Sequence, residues 1–350
     1  MSRPFGARND SGGVRRFRRG GVKRWRWQWL GLLVGGALFA WLLSRMDLAA
    51  VRSTLASLSP WQFGAVLLFY ILIFGLDTWG WRFTLPSASA NRVPWFSLFR
   101  VRLAGEAMNY VTPTSFVGGE PVKALLLRKW HGIEFHEGVA SVVIAKTTFA
   151  VSMMLFIATG LWMTLAQPLE GAVMKLVWSV FWMLSALIGL FLLLQFLRPF
   201  HRASWAVKRF LPGWMERLES AVLQWDEAIR SFYRRSPWAC LGSLGFHFLG
   251  WAAGAVEVYL ILHFLGVPIS FATAWSLEAL WVLLRSGAFM IPGTLGASEG
   301  AVVLVCAGFG IPLAPGLALG LVRRARELTW MGLGLLEFGV GSRAPERVTG

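Results

Sequence analysis

The chain has 350 residues, 56% of them hydrophobic and 15% charged, with a formal net charge of +16. An average soluble domain carries about a quarter charged residues; here the apolar residues instead fall in long blocks, and no polar stretch is long enough for a separate catalytic domain. A +16 balance would suggest nucleic acid in a soluble protein, but no binding module accompanies it; basic residues flanking apolar blocks fit positive-inside topology and contact with anionic lipid instead.

The expected fold is all-α, a polytopic integral membrane bundle of about eight membrane segments, each span needing about 20 apolar residues. Residues 1–28 are Arg-rich and punctuated by Gly and Ser, which predicts a disordered cytoplasmic tail touching anionic lipid. The membrane domain is expected over 29–340. Trp29 to Leu43 is its first span, and the poor cleavage site at Leu48-Ala49-Ala50 favours an uncleaved anchor over a signal peptide. Trp61 to Trp81 is the second, with Asp77 near one end. The stretch Leu98 to Leu127 is apolar but interrupted, and Arg128, Lys129 and His131 follow it.

Val139 to Leu165, which contains Lys146, and Val173 to Leu197 are joined by a turn without basic residues. Residues 198–237 are strongly basic. Leu218, Val222, Trp225 and Ile229 recur there at helical spacing, which reads as a cytoplasmic amphipathic helix on the membrane. Docking of a partner protein through 200–236 is the competing reading. Trp238 to Leu265 leads outward. Ala274 to Ile291 and Ala297 to Ile311 are shorter, separated by Pro292-Gly293-Thr294-Leu295-Gly296, and either cross twice or dip in and out. Leu313 to Val340 is the last span, broken by Arg323, Arg324, Arg326 and Glu327 before a polar tail at 341–350. Every strongly basic connection then falls on one side, so both termini are expected in the cytoplasm of a cell (inner) membrane protein. The 20 Trp fit interfacial belts. Cys240 and Cys306 read as small apolar residues.

Two segments carry the functional reading. Thr112-Pro113-Thr114-Ser115-Phe116-Val117-Gly118-Gly119-Glu120-Pro121 and Ile291-Pro292-Gly293-Thr294-Leu295-Gly296-Ala297-Ser298-Glu299-Gly300 each place a Glu seven residues after a Pro. Each follows an apolar run containing a Glu, Glu106 and Glu278. By the topology above they are entered from opposite sides, as in an inverted repeat. Paired Pro/Gly-interrupted segments point to a transporter-type site near the midplane; two unrelated kinked helices would give the same spacing. A half-helix starting at Gly119-Glu120-Pro121 has Pro in its first turn, and its positive end, with Lys123 one turn on, suits an anionic headgroup.

Charges inside apolar segments are costly unless paired. Lys146, Glu257, Glu278, Arg285, Arg323, Arg326 and Glu327 are such charges. Glu278 and Arg285 share a helix face, and Arg323 and Glu327 are spaced to pair directly. They serve either as interhelical ion pairs or as a polar groove passing a charged headgroup while the tails stay in lipid. Lys146 is the best single candidate for a phosphate contact. His247 and His263 read as helix-packing residues. No enzyme signature is present; intramembrane catalysis from Glu120 or Glu299 stays open. No catalytic residue, metal or cofactor is assigned.

Arg102-Leu103-Ala104-Gly105-Glu106-Ala107-Met108-Asn109-Tyr110, then Thr112-Pro113 and Gly118-Gly119-Glu120-Pro121-Val122-Lys123, resemble the lysylphosphatidylglycerol synthase transmembrane-region family, also called flippase-like domain proteins. Pro292 to Gly300 resembles its second signature, and the resemblance covers roughly residues 25–340. It implies a helical domain that, in the best-understood members, moves lipids such as aminoacylated phosphatidylglycerol between leaflets. Those members also carry a soluble C-terminal domain that attaches the amino acid. This chain stops at Gly350, so that domain and its synthase activity are not expected here. Stand-alone members are associated with hopanoid and isoprenoid-linked lipid or glycan pathways, and the substrate does not carry over.

The expectation is therefore a lipid flippase-like transporter whose partners are membrane lipids with anionic or amphiphilic headgroups. Its site gathers Glu106, Asn109, Thr112, Pro113, Gly118, Gly119, Glu120, Lys123, Lys146, Glu278, Arg285, Pro292, Gly293, Gly296, Glu299, Arg323 and Glu327. A membrane enzyme acting on a lipid-linked substrate, and a non-transporting accessory subunit of a lipid-biosynthesis complex, are the alternatives.

Overall fold

The computed structural model describes residues 44, 47–112, 118–164, 171–196, 224, 227–287, 294 and 296–343. The expected tail at 1–28, the span at 29–43, most of the basic connection at 198–237 and residues 344–350 lie outside them, as do Pro113, Pro292 and Gly293. The described residues form helices and no strand.

In chain order the helices are α1 (Leu48–Ala56), α2 (Pro60–Arg82), α3 (Ser87–Ala90), α4 (Trp95–Val111), α5 (Glu120–His131), α6 (Phe135–Thr164), α7 (Gly171–Phe196), α8 (Pro237–Phe264), α9 (Phe271–Gly287), α10 (Ala297–Gly308) and α11 (Leu313–Arg343). α1 was not anticipated from hydropathy. Asp47 starts it, its carboxylate accepting the amides of Ala49 and Ala50 at 2.9 and 3.1 Å. α2 begins with Pro60, which gives up no needed donor there, and the Gln62 side chain accepts the Ser59 amide at 2.8 Å.

α2, α6 and α8 are long and apolar enough to cross a membrane. α11 spans 31 residues without interruption. Arg323, Arg324, Arg326 and Glu327 interrupt its apolar run but not its backbone, since Arg and Glu are good helix formers; carboxylates from other helices pair with the three arginines. Residues 227–235 are helical, and Ile229 packs on Ala140 and Ile144 of α6. The end of the basic connection thus rests on the bundle itself.

Four helices pack as two pairs, α4 with α5 and α9 with α10. Ser97 meets His131 at 2.7 Å, Asn109 donates to Glu120 at 3.2 Å, and Thr112 lies against Gly118. Partners thus descend along α5 as they ascend along α4, so the two run antiparallel from a shared face to a tip. At 1.5 Å per residue, α5 is ~18 Å long, well short of a ~30 Å hydrocarbon core. α5 starts at Glu120 with Pro121 in its first turn and ends on Gly132, whose φ of 64° closes the helix without strain. α9 and α10 pack side by side likewise, with Trp281 Nε1 donating to the Ser298 carbonyl at 3.0 Å.

The two halves match in helix order and nearly in length, and their first helices run in opposite directions. α4 and α9 have 17 residues each, α5 and α10 have 12 each, and α6 and α11 have 30 and 31. α2 and α8, the first helices of the two halves, cross antiparallel: Trp61 touches Phe264, Asp77 lies on Gly250, Gly80 on His247 and Phe83 on Gly242. α4 packs on α11 and α9 on α6. Even the close approaches correspond. A Cβ on Gly334 would stand 2.5 Å from the Leu103 carbonyl, and one on Gly160 would stand 2.1 Å from Ala279 Cβ. Leu103 and Ala279 each follow the first residue of their helix by eight positions.

The hairpin tip at α4–α5 tolerates no side chain. A Cβ on Gly119 would sit 1.8 Å from the Gly105 carbonyl oxygen, a backbone atom that cannot step aside. Gly119→Val is expected to cost about 1–3 kcal/mol or more by overpacking. Thermal unfolding in detergent checks it, with Gly300→Val, at a position where a Cβ meets nothing within 4 Å, as the tolerated comparison.

Candidate functional site

The hairpin tips and the α2–α8 crossing enclose a cavity of about 270 Å³. Its wall is apolar where Phe74, Trp81, Phe149 and Trp281 face it and charged where the two halves bring their ionic groups together.

The first half supplies one network. Lys123 of α5 donates to Glu106 of α4 at 2.6 Å and lies 3.1 Å from Glu120. Its alkyl stem crosses Gly105, where a Cβ would come within 2.4 Å. Lys146 of α6 donates to Glu120 at 2.9 Å. Asn109 donates to both Glu106 (3.1 Å) and Glu120 (3.2 Å), and its Oδ1 accepts the Gly119 amide at 2.7 Å. The positive end of α5, expected to face an incoming anion, is thus met by the protein's own Asn109 and Glu120. Arg102 of α4 donates to Asp77 of α2 at 3.0 Å and to the Phe74 carbonyl at 3.0 Å.

The second half supplies another. Arg323 of α11 donates to Glu278 of α9 at 2.6 Å and to Glu257 of α8 at 2.8 Å, with its guanidinium over Trp281. Arg326 also pairs with Glu257, and stacks on Tyr70. Arg285 of α9 reaches Glu327 at 3.0 Å. Arg324 holds Glu299 of α10 at 2.7 Å and Glu327 at 3.2 Å. Glu299 turns back to accept the Gly296 amide at 2.8 Å.

The two networks share one motif. In each half, a glutamate in the first turn of the short helix is held by a cation in the long helix that follows: Glu120 by Lys146, and Glu299 by Arg324. Each pair ties a hairpin tip to the neighbouring helix. Among the expected residues, Glu106, Asn109, Glu120, Lys123, Lys146, Glu278, Arg285, Arg323 and Glu327 line the cavity. Thr112, Gly118, Gly119, Gly296 and Glu299 shape the breaks behind it: the Thr112 hydroxyl donates to the Met108 carbonyl at 2.9 Å, and a Cβ on Gly118 would fall 1.8 Å from Thr112 Oγ1.

One expected pairing, Arg323 with Glu327, is replaced. Glu278 and Arg285 share a face and bind Arg323 and Glu327, and Arg323 binds Glu257 and Glu278 in place of Glu327. Spacing along one helix reveals only neighbours on that helix. Where α8, α9 and α11 meet, a guanidinium finds two-pronged carboxylate partners across the interface, which are stronger than a single contact along its own helix. The titratable residues of the cavity wall not assigned to the site beforehand are Tyr70, Asp77, Arg102, Tyr110, His247 and Arg326. A signal for two of them lies in the sequence: Asp77-x-x-Gly80 on α2 and His247-x-x-Gly250 on α8 are matched patterns in corresponding helices.

The model of the lysylphosphatidylglycerol synthase transmembrane region matches residues 28–335. A "UPF0104 membrane protein" of Methanothermobacter thermautotrophicus (strain Delta H) is 24% identical over 312 residues, covering 86% of this chain and 90% of the relative. No solved structure matches the chain significantly.

Proposed function

Because this chain belongs to the lysylphosphatidylglycerol synthase transmembrane-region family, we propose that it moves a phospholipid or other amphiphilic lipid between leaflets of the cell membrane, with both termini cytoplasmic. The headgroup passes through the charged cavity while the tails remain in lipid. One observation carries this reading: inverted hairpins meet at a cavity whose wall includes Arg102, Lys123, Lys146, Arg285, Arg323 and Arg326.

The paired state of these cations defines how an anion enters. A charge left alone at membrane depth is costly, so each cation keeps a carboxylate partner until a better one arrives. A phosphate oxygen accepts the same charge-assisted hydrogen bonds as a carboxylate. Headgroup binding is then an exchange, in which the phosphate takes the place of Glu120 at Lys146 and Lys123. The freed hairpin tip can move without stranding either charge. Arg82, Arg92, Arg128 and Lys129 support this orientation: Arg82 bonds the Val93 carbonyl and Ser97 meets His131, so these basic residues gather near one end of α2, α4 and α5.

The test is leaflet-resolved scrambling by purified protein in vesicles containing labelled lipids of several headgroup classes. Movement above that in empty vesicles is expected, and it is lost in a folded Glu120→Gln/Glu299→Gln variant. Absence of movement for every lipid with well-folded protein defeats the proposal.

A further inference from the structure

The α2–α8 crossing carries a buried histidine that the ion-pair exchange does not use. His247 is 3% exposed. Its ring lies on Gly80, where a Cβ would stand 2.7 Å away, while the Asp77 carboxylate lies on Gly250, where a Cβ would stand 2.8 Å away. The two helices thus exchange side chain for glycine reciprocally. His247 Nδ1 is 2.9 Å from Asp77 Oδ1, and Asp77 Oδ2 accepts from Arg102. A carboxylate held by a guanidinium is ionised and can only accept, so Nδ1 carries the proton and donates. Nε2 is then a bare lone pair. Among the described residues it has no hydrogen-bond partner, and His247 lines the cavity.

Buried polar atoms are satisfied in the great majority of cases, and an orphan at a cavity wall invites a ligand. The ring stands perpendicular to that of Phe149, with ring centres 5.4 Å apart, and lies on Gly80. A proton is the ligand that needs no further room. The charged groups that face the ring are Asp77 of α2, Arg102 of α4 and Lys146 of α6. With the cavity empty, Asp77, Glu106 and Glu120 already match Arg102, Lys123 and Lys146, so an imidazolium adds an unmatched positive charge. An anion entering this matched network adds a negative charge, which the imidazolium offsets.

We propose that His247 Nε2 is a proton site linked to headgroup occupancy: an anionic phosphate-bearing headgroup in the cavity and a proton on His247 bind together. This rests on the headgroup reading above and names the proton as the ion bound with the lipid. The linkage is reciprocal, so each ligand tightens the other. The proton lands at the contact between the corresponding first helices of the two halves, where it turns the Asp77–His247 hydrogen bond into an ion pair across the crossing.

The experiment titrates the full chain in detergent with dihexanoylphosphatidylglycerol, by calorimetry in buffers of different ionisation enthalpy. This phosphodiester does not titrate across about pH 5 to 8, the range in which an imidazole changes charge, so any proton taken up belongs to the protein. Uptake approaching one proton per ligand is expected in the pH range where His247 is neutral in the empty protein. Affinity is expected to rise by up to about tenfold per unit fall in pH. His247→Gln keeps a donor for Asp77 and is expected to bind without proton uptake, whereas His263→Gln behaves as the wild type. Binding by the wild type without proton uptake overturns the linkage while leaving the headgroup site standing, and this result needs no variant to fold. Uptake that persists in folded His247→Gln overturns the assignment to this residue. No binding at any pH overturns both.

Discussion

Glu257→Ala is expected to destabilise the bundle by about 3–5 kcal/mol, the cost of breaking a buried ion pair from one side. Glu257 is 0% exposed and receives two arginines from consecutive turns of α11. Their fates differ on its removal. Arg323 keeps Glu278 and the Gly254 carbonyl. Arg326 keeps only the Tyr70 face and a 3.9 Å approach to Glu327, and its Nε already lacks a partner among the described residues. The stranded charge is therefore Arg326, and Glu257→Ala/Arg326→Met is expected to recover much of the loss. Glu257→Gln falls between, since it keeps volume and an acceptor but not charge. The contrast is Glu337→Ala. The Arg100–Glu337 pair is 36% and 28% exposed at its two side chains, and pairs of that kind are worth about 0–1 kcal/mol. Unfolding midpoints of the four variants in one detergent measure the ordering. A loss for Glu257→Ala no larger than for Glu337→Ala would contradict it.

These energetics also mark what the sequence could and could not reveal. Punctuation was legible. Pro121 beside Glu120, and Gly296 three residues before Glu299, identify helix starts by local chemistry, and both half-helices begin there. The matched halves were legible because a broken segment repeats its break. Partner choice was not. Asp77 and His247 are 170 residues apart in sequence, and nothing in either helix alone names the other. The charges of α11 interrupt a hydropathy profile, yet they are buried in the bundle because Glu257, Glu278 and Glu299 arrive from three other helices. Local spacing shows that a charge must be paired. Only the inverted packing selects its partner.

That inversion makes the second large effect directional. The α4–α5 hairpin enters from the face that carries Arg82 and Arg128, and the α9–α10 hairpin enters from the opposite face, beside Leu265 and Phe309. Each is fastened at its tip by one glutamate, Glu120 to Lys146 and Glu299 to Arg324. If each hairpin plugs the cavity from its own face, Glu120→Gln loosens the first plug and Glu299→Gln the second. The two substitutions are chemically identical and are expected to act in opposite directions. Ser286 lines the cavity, half-buried and outside both ionic networks. Ser286→Cys, in a background with Cys240 and Cys306 replaced by Ser, reports access through its alkylation by an impermeant maleimide added to one side of oriented vesicles. Glu120→Gln is expected to speed labelling from the Arg82 face and slow it from the other, and Glu299→Gln to do the reverse. A fastening worth about 1.4 kcal/mol changes the ratio of the two rates tenfold. Both variants shifting access toward the same face would mean that the hairpins do not act as separate plugs, and alternation between them would have to be abandoned. Opposite shifts that cancel in the double variant would show that the glutamates bias one shared equilibrium, the behaviour an inverted repeat provides when its two halves exchange conformations.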